Sequence, residues 1–378
     1  MVPLPFTEAA SGQRRLPRRS VLASIGAAGA ALTLAGCGGG SGPSPPPPPA
    51  GRTRSWRMGF SHNPPRFTVE AVIKGIDLWS RHAELAIIHD ELPWADLLEG
   101  MSPQAILKRD KVELVQYLRG KGLALTMMLD LTNGLGRESE ARALVQARRS
   151  LTEPAVQALA REYALAVEEL LAPDWFGLAA ETNLIRQVAP ASLYAAVQHT
   201  AVGVDAALDR AGARSRRFVS VQAEVAWGRL STRTPYVGIA RDLVDFPFTR
   251  ALGISSYPYF AYDDPSAIPP NYFTRLRGAS GLPVIVTEGG WTSASRGSIA
   301  SSPQKQVRYI ERLAELLDSV SALAWFQLQF ADIDLASVPP PVPELLPLFT
   351  AIGLTDADFH PKPALAAWDA VFARRWMA

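Results

Sequence analysis

A chain of 378 residues with 48% hydrophobic and 20% charged side chains can bury a large core, which excludes a disulfide-stapled miniprotein, a coiled coil and a wholly unfolded chain. The formal net charge is +2, but residues 1–36 hold four arginines (Arg14, Arg15, Arg18, Arg19) against Glu8 alone, so the remainder carries 34 basic and 35 acidic side chains. So balanced a composition gives no electrostatic case for a nucleic-acid partner.

In chain order, Arg18 and Arg19 precede a small, apolar stretch from Ala23 to Ala35. This layout is similar to a bacterial twin-arginine export signal. Leu34-Ala35-Gly36-Cys37 closes it, and Cys37 is the only cysteine. The tetrapeptide resembles a lipobox, which implies cleavage after residue 36, a lipid on Cys37 and a membrane tether. The expected location is the bacterial cell envelope, outside the inner membrane. Gly38 to Ser55 combines a glycine run with six prolines, so residues 37–55 are expected to be a disordered, solvated spacer. One domain, residues 56–378, should follow, and no later segment has the 18 uninterrupted apolar residues of a membrane span.

From Trp56 onward, short apolar runs alternate with stretches of helical period, the pattern of repeated βα units. Strands are predicted over 57–61, 85–89, 124–129, 175–180, 218–222, 252–256, 283–287 and 322–328. Helices are predicted over 69–81, 102–121, 153–171, 191–211, 236–244, 272–276, 303–317 and 363–376, with Ser150-Leu151-Thr152-Glu153 as a capping box for the third. Eight units in about 320 residues predict an α/β fold, a (β/α)8 TIM barrel preceded by a cleaved signal peptide and a Gly/Pro linker. A doubly wound nucleotide-binding sheet is disfavoured, because the first strand leads into Gly59-Phe60-Ser61-His62-Asn63 with no glycine-rich phosphate turn.

With these strands, Glu181 follows the fourth and Glu288 ends the seventh, so both stand on the rim where barrel enzymes place their chemistry. Two carboxylates across a barrel mouth are what glycosidic cleavage requires. One protonates the departing oxygen and the other attacks or stabilises the anomeric carbon. Either residue alone would read as a helix cap or an ion-pair partner. The pair, with Gly289 and Gly290 allowing close approach, favours catalysis.

The chain resembles the clan A glycoside hydrolases, in which one glutamate ending strand four is the acid/base and another ending strand seven is the nucleophile. Gly253-Ile254-Ser255-Ser256-Tyr257-Pro258-Tyr259 is similar to the strand-six tyrosine motif of the endo-β-1,4-galactanase family and its relatives. Ala324-Trp325-Phe326-Gln327, and the tail from Gly353-Leu354 to Lys362-Pro363-Ala364, also resemble that clan. The resemblance implies a retaining glycosidase without cofactor, with Glu181 as acid/base, Glu288 as nucleophile, Tyr257 holding Glu288, and Trp325 flooring the sugar site. Trp291 is a second stacking candidate. One departure stands out: the clan usually has asparagine before the acid/base, touching the sugar 2-hydroxyl, and this chain has Ala180. Asn183 and Gln222 are candidate replacements.

Among the other rim residues, His62, His89 and Asp90 are candidates for hydrogen-bonding sugar hydroxyls, with surface or supporting packing equally open. Asp130 is similar. Glu224 is either a third acid near the site or a partner for an arginine such as Arg229. Rim aromatics including Trp94, Trp227, Tyr259 and Tyr262 suit pyranose faces, whereas Trp56, Trp79, Trp368, Met127 and Met128 read as core. His62, His82, His89, His199 and His360 form no metal-binding spacing, so no metal is expected, and no G-x-S-x-G elbow occurs. The expected partner is a carbohydrate bound by a monomer. The alternative reading, supported by Ala180, is a non-catalytic carbohydrate-binding barrel.

Overall fold

The computed structural model describes residues 52–230 and 235–377. The expected signal peptide, the lipidation site Cys37 and the spacer through residue 51 lie outside the described residues. Eight parallel strands close into a barrel in sequence order: β1 (Arg57–Ser61), β2 (Leu85–Glu91), β3 (Ala124–Asp130), β4 (Trp175–Gly177), β5 (Arg216–Gln222), β6 (Leu252–Ser256), β7 (Val284–Gly289) and β8 (Ala322–Gln327). Helices alternate with them, so the chain is a (β/α)8 barrel.

Strand alternation sorts the apolar side chains into two cores. Leu85, Ile87, Met128, Phe218, Ile285 and Phe326 fill the lumen. A larger shell between strands and helices holds Met58, Phe60, Met127, Trp79, Trp325 and Trp368. At Gly59, paired with Leu85, an added Cβ would stand 2.4 Å from the Leu85 carbonyl oxygen. Gly59→Ala should therefore lower the unfolding free energy in urea by about 1–3 kcal/mol, since backbone cannot rotate away as a side chain can. Gly203→Ala, in the helix Ala191–Arg210, where the added Cβ would meet only the flexible Arg161 side chain at 3.6 Å, should instead raise it by up to about 1 kcal/mol.

Several expected boundaries move. The helix expected over 102–121 is two, Pro103–Asp110 and Val112–Gly120, broken at Lys111, where φ is −126°. The third helix begins at Pro154, so Glu153 is its N-cap. Only half of the expected capping box forms, the Ser150 amide donating to Glu153 Oε1 at 2.7 Å, because proline suits the first helical position and fixes the start there. The fifth helix starts at Ala240, after Gly238 turns the chain at φ +74°. The last helix stops at Phe372, and Arg375–Trp376 pairs in parallel with Thr53–Arg54, so ordered structure begins ahead of the expected boundary at residue 56.

Candidate active site

Glu288 reaches the lumen through a shift in strand register. Ile254 of β6 lies opposite Val286 of β7, but the next residue, Ser255, lies opposite Glu288. Thr287 is the extra residue of a β-bulge. Without it, simple alternation from the lumen-facing Ile285 would turn Thr287 inward and Glu288 toward the helices. Ser255 Oγ donates to Glu288 Oε1 at 2.6 Å and the Tyr257 hydroxyl to Oε2 at 3.1 Å. Burial and the charge of Glu288 push the Tyr257 phenol well above its ordinary value, so it remains a donor. Gly289 lets β7 close on β6, for a Cβ there would stand 2.5 Å from the Ser256 carbonyl oxygen.

Glu181 arrives differently. β4 ends at Gly177, and after three irregular residues Glu181 takes φ +50°, ψ +47° as N-cap of the helix Thr182–Val188. A non-glycine residue in this left-handed region costs on the order of 1–2 kcal/mol, and such strain concentrates at functional sites. The Glu181 amide donates to Ser220 Oγ at 2.9 Å, and Glu181 Oε2 accepts from Arg137 Nε at 3.0 Å. Arg137, from the loop after β3, is itself left-handed at φ +64° and buried, and its Nη1 donates to Asp130.

The charges interlock. Burial raises the Glu181 carboxyl above its ordinary value; Arg137 opposes the shift and the charge of Glu288 adds to it. At Asp130 burial also pushes upward, yet the Arg137 charge, joined by smaller contributions that include the Thr132 amide, outweighs it and leaves the group below the ordinary carboxylate range. The Arg137 guanidinium is raised because Asp130, Glu181 and Glu288 together outweigh its burial. All three carboxylates therefore act on one buried cation.

His89 follows the lumen parity of Leu85 and Ile87, with Nδ1 3.8 Å from Glu288 Oε2, too long for a hydrogen bond. Burial lowers both His89 and His62 to about 4, so each is neutral at neutral pH, and neither has a ring nitrogen with a hydrogen-bond partner among the described residues. Asp90 has the opposite strand parity and is ion-paired with Lys111.

Other expected ligands are committed elsewhere. The Asn183 amide exchanges two hydrogen bonds with the Gln222 backbone, at 2.9 and 2.7 Å. Gln222 Oε1 accepts from the Val225 amide and its Nε2 donates to Glu224. Neither amide is turned to replace the asparagine missing at Ala180, whose own side chain joins the lumen core. Trp325 does not floor the barrel. Alternation places it outside, with its ring 4.6 Å from Trp368 and 5.8 Å from Trp56, while Ala324 and Phe326 face the lumen. Trp291 is buried between Tyr259 and Tyr309, with Nε1 donating to Ser301 Oγ. Glu224 is not paired with Arg229. It accepts from Gln222 Nε2, the Tyr272 hydroxyl, Ser256 Oγ and the Tyr257 amide, which anchors the tyrosine that holds Glu288.

Sequence reasoning missed Arg137 and Phe349. The only signal for Arg137 was an arginine directly after Gly134-Leu135-Gly136 in a long loop past the third strand. Phe349 lies edge-on to Tyr257 at 4.9 Å, brought there by the loop after β8. Among the described residues, no group of three or more His, Cys, Asp and Glu side chains is placed to hold a metal ion.

No protein-family profile matches the chain, and no curated protein matches it. Solved structures do. An exo-β-1,4-mannosidase from Opitutaceae bacterium strain TAV5 superposes with a TM-score of 0.60 at 14% identity, over 85% of this chain and 59% of that one. The present chain thus spans little more than half of the mannosidase. A GH5_18 protein from Streptomyces cattleya, in complex with GlcNAc, gives 0.59 at 16% identity over 85% and 81%. Xylanase 10B from Thermotoga maritima gives 0.56 at 12% identity over 84% and 95%. At these identities the likeness is one of fold.

Proposed function

We propose that the protein is a retaining glycoside hydrolase in which Glu181 is the acid/base and Glu288 the nucleophile. The observation that carries this reading is the contrast between two carboxylates sharing one buried site. Glu288 is gripped by two hydroxyl donors, which suit an ionised nucleophile, while burial and the charge of Glu288 raise the Glu181 carboxyl above its ordinary value against the pull of Arg137, which suits a proton donor. Glu181 would protonate the glycosidic oxygen as Glu288 attacks the anomeric carbon. The ionised Glu181 would then take a proton from water as that water hydrolyses the glycosyl-enzyme ester. Tyr257 and Ser255 orient the nucleophile, and the neutral rings of His62 and His89 are free to bond sugar hydroxyls. Lipidation at Cys37 and export to the cell envelope complete the reading.

A binding barrel without turnover is the second reading, favoured by Ala180 and by the commitment of Asn183 and Gln222 to each other. Incubation with 2-deoxy-2-fluoro glycosyl fluorides of the gluco, manno, galacto and xylo series, followed by mass spectrometry, separates the two. One sugar bound covalently to Glu288 is the expected result. Carbohydrate binding with neither adduct nor turnover would select the second reading.

A further inference from the structure

We propose that the face of the barrel at the N-terminal ends of its strands is a docking surface for an anionic phospholipid membrane, so that the mouth holding Glu181 and Glu288 points away from the bilayer. The proposal is independent of the glycosidase reading, because no residue of the mouth takes part.

The face is cationic although the chain as a whole is nearly neutral. Arg216 opens β5 with Arg214 two residues ahead of it, and Arg250 lies just before β6, its amide donating to the Arg217 carbonyl. Across the barrel, Arg52 precedes and Arg375 belongs to the two short paired strands next to β1. These five arginines are exposed and make no ion pair among the described residues. Most nearby acids are already engaged by cations: Glu84 by Arg54, Asp77 by Lys121, Asp318 by Arg374, and Asp205 and Asp209 by Arg217, while Asp174 and Glu168 accept from the backbone amides of Leu125, Arg214 and Ser215. Five unpaired arginines against those two carboxylates leave a basic surplus on this face.

Two further features indicate a lipid surface rather than a small anion. The arginines stand in two groups, at β5 and β6 and across the barrel beside β1, instead of converging on one point, which suits a plane of charge better than a single phosphate. Beside them Trp376 and Met377 are 37% and 45% exposed, with the Arg57 guanidinium 4.2 Å above the Trp376 ring. An exposed tryptophan among arginines fits the boundary between headgroups and acyl chains. The described chain also begins on this face, at Arg52, only 15 residues after Cys37. Fully extended, that stretch reaches about 50 Å, so a lipid on Cys37 would hold this end of the barrel near the bilayer.

The test uses the chain from residue 37 with Cys37→Ser, which keeps every described residue and removes the lipid. Its co-sedimentation is measured with vesicles of phosphatidylcholine alone and of phosphatidylcholine with about one third phosphatidylglycerol. Binding to the anionic vesicles only, weakened by salt, is expected. Combined Arg216→Glu, Arg250→Glu and Arg375→Glu should lower the partition at least about tenfold. Trp376→Ala should weaken it without changing its salt dependence. Arg296→Glu, on the exposed loop after β7 at the opposite end, should leave it unchanged. Equal binding to both vesicles, no binding, a triple variant that binds like wild type while retaining its circular dichroism spectrum, or an equal loss from Arg296→Glu would each overturn the proposal.

Discussion

Glu288→Gln is expected to lower turnover of any glycoside the wild-type protein hydrolyses by at least about a thousandfold, because no carboxylate remains to attack the anomeric carbon. Glutamine keeps the length and planarity of the side chain, so the barrel should stay folded. It replaces one acceptor oxygen by a donor, and either Ser255 or Tyr257 then faces an N–H. The thermal unfolding midpoint should therefore fall modestly while activity is lost, and circular dichroism with initial-rate assays measures both. Wild-type rates in the variant would remove Glu288 from the chemistry, whatever its position.

Glu181→Gln should cost about 10²–10⁴ in rate on substrates with poor leaving groups, and much less on nitrophenyl glycosides, whose departing oxygen needs no proton. The pH profile carries the sharper signature. The folded-state value of Glu181 is raised, by burial first and by Glu288 as well, against the pull of Arg137. The reactive, protonated form thus persists to higher pH than an ordinary carboxyl would allow, and activity falls as pH rises through that raised value. In the glutamine variant this alkaline limb should disappear. A limb that survives there, or a loss independent of leaving group, would assign the proton transfer to another residue.

The eight strands were legible because each is a short apolar run bounded by turn residues, and β1 and β6 match their expected limits. Glu181 and Glu288 were legible because strand ends locate the rim. Side-chain direction was less so. Trp325 matched a sugar-floor motif, yet alternation with the lumen-facing Ala324 and Phe326, set by a register shift at Leu323, sends it outward to Trp368. Glu288 would face outward by the same rule but for the bulge at Thr287, which leaves no mark in the residue order. Arg137 lay outside any periodic segment, and a loop's course depends on contacts made far away in the chain.

The sequence alone determined the βα repeat, the location of the two glutamates and the small net charge, since these follow from local period and from counting. Tertiary structure decided which way those side chains point, which carboxylates share the Arg137 cation, and how charge is distributed between the two ends of the barrel. The physical reason is common to all three. Register, burial and electrostatic coupling depend on distances between residues remote in the chain, and a net charge near zero conceals basic residues gathered at one end.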